Sequence, residues 1–267
     1  MQGVQNKTYK RFLDAVGNFS NIADAAQKRV GLAKLVLKQN YAYPCDNYIE
    51  TILGNKYTHQ TLQSIINKYY GEQLEEITKN DSQLNPSNYP ILWSNYQHCC
   101  NVLKIDFTPK VFITSKLKGI NALGVELKNE AIILLSYHSV SLLSGNEQCF
   151  LLGHELGHVQ FGHLIAHAVQ GLLLDLNKHS EILGGIISDF IEVPLNNWYK
   201  SSEFSADRAG YLCCRDIKCI ENLFAKLPFE RHATAFSQYK ELMESYPSKE
   251  SRLEELNNFI NSGMRNG

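Results

Sequence analysis

The segment GNEQCFLLGHELGHVQFGH, residues 145–163, constrains this chain more than any other. Ser144 and Glu147 stand at its head in the S-x-x-E spacing of a capping box, which predicts a helix that starts near Gly145 and runs past His163. On such a helix His154 and His158 share a face, with Cβ atoms ~5–6 Å apart. Two imidazoles placed this way can bind one zinc ion at ~2.0–2.1 Å. Glu155 lies about 100° further round the helix and reaches a metal-bound water without ligating the metal. The Phe150-Leu151-Leu152 run implies that the helix is largely buried, and buried imidazoles need partners.

His154-Glu155-Leu156-Gly157-His158 is thus an H-E-x-x-H motif with the geometry of a peptidase helix. His163 and His167 are also four apart, but no carboxylate of suitable spacing stands near them. They are expected to continue the same helix at or near the surface.

Zinc in a catalytic site takes a third protein ligand and leaves the fourth position to water. The best candidate is Glu203 in WYKSSEFSADRAGYL, 45 residues after His158. Asp207 follows one helical turn later and suits the carboxylate that accepts the other ring N–H of a ligating histidine. Ala206, Ala209 and Gly210 are small enough to let this second helix approach the first. Gly157 serves the same purpose, since a glycine inside a helix otherwise costs ~1 kcal/mol.

Residues 1–85 read as a mostly helical region. Phe12, Val16 and Phe19 share one helical face, as do Leu32, Leu35 and Val36, and another helix begins near Thr61. The Pro- and Asn-containing stretch 84–90 reads as a loop, and a boundary is placed there. Residues 86–267 form the second unit. Residues 91–103 read as a helix; 110–115, 121–123 and 131–136 read as short strands. The expected fold is α+β, mostly α: a small sheet, then the motif helix, then helices to the end.

Composition excludes several classes. The formal net charge is −1, from 26 basic and 27 acidic residues, and suggests no nucleic-acid partner. The N-terminus lacks the apolar core of a signal peptide, and no stretch reaches the ~18 apolar residues of a membrane helix. Seven cysteines without C-x-x-C spacing argue for buried thiols in a reducing cytoplasm rather than disulfides. Cys45, after Pro44, is read as one of these rather than as a thiolate that keeps the metal latent.

Together these residues resemble the M48 metallopeptidases, gluzincins that include Ste24- and HtpX-like proteins. The match rests on His154-Glu155-x-x-His158 and on Glu203-Phe-Ser-Ala-Asp207-Arg-Ala-Gly210, and covers roughly residues 90–255. Ile120-Asn121-Ala122 resembles the family's Asn-Ala strand along the cleft, and Tyr246-Pro247-…-Arg252 resembles a His-Pro-…-Arg segment. Tyr246 stands where relatives carry His, and the membrane helices of the Ste24 and HtpX branches are missing. The resemblance implies a zincin-like domain of a soluble branch, with a peptide or protein as substrate.

The expected chemistry is peptide-bond hydrolysis with one Zn²⁺ per chain, held by His154, His158 and Glu203. Glu155 is the expected general base. Arg252 and Tyr246 are candidates for the oxyanion-stabilising group. A substrate strand is expected beside Asn121 and Ala122. The rivals are a regulatory peptidase of the ImmA/IrrE type and an inactive, zinc-stabilised binding module. The ADRAG segment and the gap of 45 residues weigh against the first, and the intact Glu155 against the second.

Overall fold

A computed structural model describes residues 41–44, 56–105, 107–128, 130–168, 193–227 and 247–265. The expected helical faces at 12–19 and 32–36, Cys45 and Tyr246 lie outside them. The chain order is α1 (Lys56–Asn80), β1 (Ser82–Gln83), α2 (Pro90–Leu103), β2 (Lys110–Thr114), β3 (Ala122–Leu127) and β4 (Glu130–Ser136). Then follow α3 (Tyr137–Leu142), α4 (Gly145–Phe161), α5 (Val193–Cys214), α6 (Ile217–Lys226) and α7 (Lys249–Arg265). The fold is the expected α+β, mostly helical, zincin-like arrangement.

The sheet order is β1-β2-β4-β3, with β2 parallel to β4 and the outer pairs antiparallel. The central strands are near-continuous apolar runs because both faces of the sheet are covered. Val111, Ile113, Ile133 and Leu135 join the core formed with α2 and α4. Phe112, Ile132 and Leu134 point the other way, onto Leu74 and Ile77 of α1. The two-residue β1 is too short to show a strand pattern in the sequence. It pairs with β2 through Ser82 and Gln83, so residues 56–83 pack against the unit expected to begin at 86. The loop after it is held by the Asn85 side chain, which accepts from the N–H groups of Ser87 and Asn88.

α4 starts as its sequence requires. Ser144 is the N-cap, and its capping box with Glu147 is fully formed. Glu147 also takes the ammonium of Lys226 from α6 at 2.6 Å. The helix does not run past His163. It stops at Phe161, and Gly162 caps it in the left-handed region at φ 73° before a new helical stretch, 163–168, begins.

Small residues bring α4 and α5 together. A Cβ on Gly157 would lie 2.8 Å from Ala209 Cβ, and one on Gly153 would lie 2.7 Å from Cys213 Sγ. Residues 41–44 lie across the same two helices: the Tyr41 hydroxyl donates to Gln160, Tyr43 N–H to Ser205 Oγ at 2.9 Å, and Arg208 to the Ala42 carbonyl at 3.0 Å. No helix among the described residues is long and apolar enough to cross a membrane. Among the described residues Cys99, Cys149, Cys213 and Cys219 are buried free thiols, as expected, whereas Cys100 and Cys214 are only half-buried.

Candidate metal centre

The close approach of α4 and α5 puts His154, His158 and Glu203 in one buried group. His154 Nε2 and His158 Nε2 are 3.1 Å apart. Glu203 Oε1 lies 3.4 Å from His158 Nε2, and Oε2 lies 3.6 Å from His154 Nε2. Ligand atoms at 2.0–2.1 Å in a tetrahedron stand roughly 3.3 Å from one another. The three separations bracket that value.

The other ring nitrogens explain why a cation suits this place. His154 Nδ1 is 3.0 Å from Asp207 Oδ1, and His158 Nδ1 is 2.9 Å from His163 Nδ1. A proton on each Nδ1 leaves two Nε2 lone pairs facing one another beside a carboxylate, an arrangement a cation resolves. Glu203 Oε2 is a buried oxygen that makes no hydrogen bond among the described residues, with the Arg252 guanidinium as a longer ion-pair contact at 3.5 Å. The residues therefore fit a metal ion.

The electrostatics agree. Burial pushes His158 down to about 4, against the pull of Glu203, so its ring is neutral near pH 7. Burial alone would raise Glu203, but His158 beside it and the charges of His154 and Arg252 hold it well below the usual carboxylate range. Glu155 goes the other way. Burial raises it and the charge of Glu203 adds to the rise, while the charges of His154 and Arg252 and the Gly124 N–H partly offset both. That N–H donates to Glu155 Oε2 at 2.7 Å. A carboxylate raised in this way is suited to taking a proton.

Arg252 comes to the site from α7. It is 3% exposed, and its guanidinium forks onto Asp207, with Nε 2.7 Å from Oδ2 and Nη2 on Oδ1. Nη1 is 3.5 Å from Glu203 Oε2, and the group sits over the Phe224 ring. Two carboxylates thus engage it. Asp207 itself is held below its ordinary range: burial opposes this, but Arg252 and His154 outweigh it.

β3 is an edge strand, and Ala122 is its first residue. Asn121 precedes it, and its main chain is already engaged: its N–H donates to Ser139 Oγ at 2.8 Å, and its carbonyl accepts from Ser136 N–H at 3.0 Å. That pairing, with the alternation of an antiparallel ladder, turns the main-chain groups of Ala122, Gly124 and Glu126 away from β4.

His163 and His167 differ from expectation. His163 is fully buried, and His167 is half-buried, with Nε2 2.9 Å from Ser202 Oγ. The turn at Gly162 folds both back against His158. A glycine directly after the helix was the available signal.

The model for Peptidase family M48 matches residues 91–260, which takes in all of these groups. Among curated proteins, the chain is 30% identical over 88 residues to the plastoglobule-localized metallopeptidase 48, chloroplastic, of Arabidopsis thaliana. That alignment covers 33% of this chain and 26% of the relative, so the chain matches about a quarter of the relative's length. No solved structure matches the chain.

Proposed function

The chain belongs to peptidase family M48, and on that premise we propose that it is a zinc-dependent endopeptidase, with His154, His158 and Glu203 holding one Zn²⁺. The observation that carries this is the set of 3.1, 3.4 and 3.6 Å separations among the two Nε2 atoms and the Glu203 carboxylate. When bound, the ion polarises the scissile carbonyl and lowers the pKa of a water.

Glu155 takes the proton of the attacking water and returns it to the departing amine. Its raised pKa and its anchorage on Gly124 N–H support that role. Asp207 orients His154, and Arg252 orients Asp207 and Glu203 rather than meeting the oxyanion. The Tyr246 hydroxyl, six residues before Arg252, is then the proposed oxyanion donor. A peptide or protein substrate adds as a strand along β3 beside Ala122, with Asn121 fastening the end of that strand. Such pairing uses main-chain groups and reads little sequence. We place the protein in the cytoplasm on its thiols.

Metal analysis with a peptide-hydrolysis assay tests the proposal. The wild type is expected to carry one zinc per chain and cleave casein, and His158→Ala to do neither. Full zinc in His158→Ala would sink the ligand set. Stoichiometric zinc without hydrolysis of any peptide would favour the zinc-stabilised binding module.

A further inference from the structure

We infer that His163 is a positioning residue for the metal centre: it accepts the Nδ1–H of His158 and so fixes that ligand's tautomer and ring orientation. The inference rests on the reading that His158 binds the metal through Nε2. A neutral imidazole that ligates through Nε2 must carry its proton on Nδ1. The atom facing that proton is His163 Nδ1, at 2.9 Å, with both rings buried. His163 is then the acceptor and holds its own proton on Nε2.

The backbone is built for this contact. On an uninterrupted helix a residue five positions on lies about 140° round the axis, away from His158. The left-handed cap at Gly162 breaks the helix and starts the next stretch at His163, which brings the two rings together. Phe161 stacks on the His163 ring with centroids 5.5 Å apart, and Trp198 meets it edge-on at 5.4 Å. The two ligands thus have unlike supports, a carboxylate (Asp207) for His154 and a neutral imidazole for His158.

The nitrogens of His158, His163 and His167 also lie close enough to hold an ion. That arrangement would make His158 bridge two metals and lose its Nδ1 proton, and the carboxylate that acts on these rings among the described residues, Glu203, already belongs to the first group. The positioning role needs neither.

Zinc competition titrations on the full chain test the inference. In His163→Asn the amide oxygen takes the place of Nδ1, whereas His163→Gln puts it further out and His163→Phe removes it. Zinc affinity should fall ~10–100-fold in His163→Phe and His163→Gln and stay within about threefold in His163→Asn. The metal-free forms of the Asn and Gln variants should melt alike, since a purely structural role would not distinguish them by zinc alone. Equal zinc loss in all three variants, or none in any, overturns the inference. So does a wild type with two metals per chain that drops to one in His163→Asn. His154→Ala is the control. Zinc retained there overturns the site reading and the inference with it; zinc lost there but unchanged in the His163 variants overturns the inference alone.

Discussion

His154 Nδ1 and Asp207 Oδ1 stand 3.0 Å apart inside the protein, and the second oxygen of that carboxylate takes the Nε–H of Arg252 at 2.7 Å. The carboxylate is thus fixed from behind by a guanidinium and aimed forward at an imidazole. This holds the proton on Nδ1 and leaves Nε2 turned toward Glu203.

Asp207→Ala should therefore weaken zinc binding ~10–100-fold, the usual cost of losing an outer partner of a ligating histidine. Arg252→Leu should reduce affinity in the same direction, because it frees Asp207 and leaves two buried carboxylates short of a cation. Competition titration with a zinc chelator reads both. Unchanged affinity in Asp207→Ala would show that His154 is oriented by something else.

Gly157→Ala should destabilise the protein by ~1–3 kcal/mol, although alanine is the better helix former. The added methyl would lie 2.8 Å from Ala209 Cβ and 3.1 Å from the Ala206 Cα, and backbone gives little. Gly263→Ala on α7 meets nothing within 4 Å and should be neutral or stabilising by up to ~1 kcal/mol. Thermal melts of the two variants settle it; equal effects would mean that α4 and α5 are not in close contact.

Glu147→Gln should cost ~1 kcal/mol at neutral pH through loss of the charged half of the capping box and of the Lys226 contact. Burial works against ionisation of Glu147, but Lys226 and Ser144 prevail and hold its carboxyl below the ordinary value of 4.5. A depressed carboxylate stabilises the fold above its unfolded pKa, and that contribution is lost as pH falls through the lower folded value. The gap between wild type and variant should therefore be full at pH 7 and should shrink as pH falls below the unfolded value of ~4.3. Melts of metal-free protein at pH 7 and pH 3 check this. An equal gap at both would exclude the charge as its source.

The motif helix, its start and the approach of the second helix were legible in the sequence, because each rests on local chemistry: a capping box, a histidine pair, a run of small residues. The strands at 110–114 and 130–136 were legible as apolar runs. Part of what was missed depends on contacts distant in sequence. β1 exists because Ser82 and Gln83 meet β2, and two residues carry no periodicity. Arg252 could be picked out, but its pairing with Asp207, 45 residues upstream, belongs to tertiary structure. His163 and His167 were placed near the surface because the helical pattern was carried through Gly162. The αL cap there reverses that placement.

Glu155→Gln tests the account most directly. The amide keeps the shape and the contact with Gly124 N–H but can neither accept nor deliver the proton. Zinc content and peptide hydrolysis are measured on the same preparation. The account predicts one zinc per chain, as in the wild type, and loss of hydrolysis. Lost zinc would make Glu155 a ligand, and retained hydrolysis would remove it as the base; either result contradicts the account.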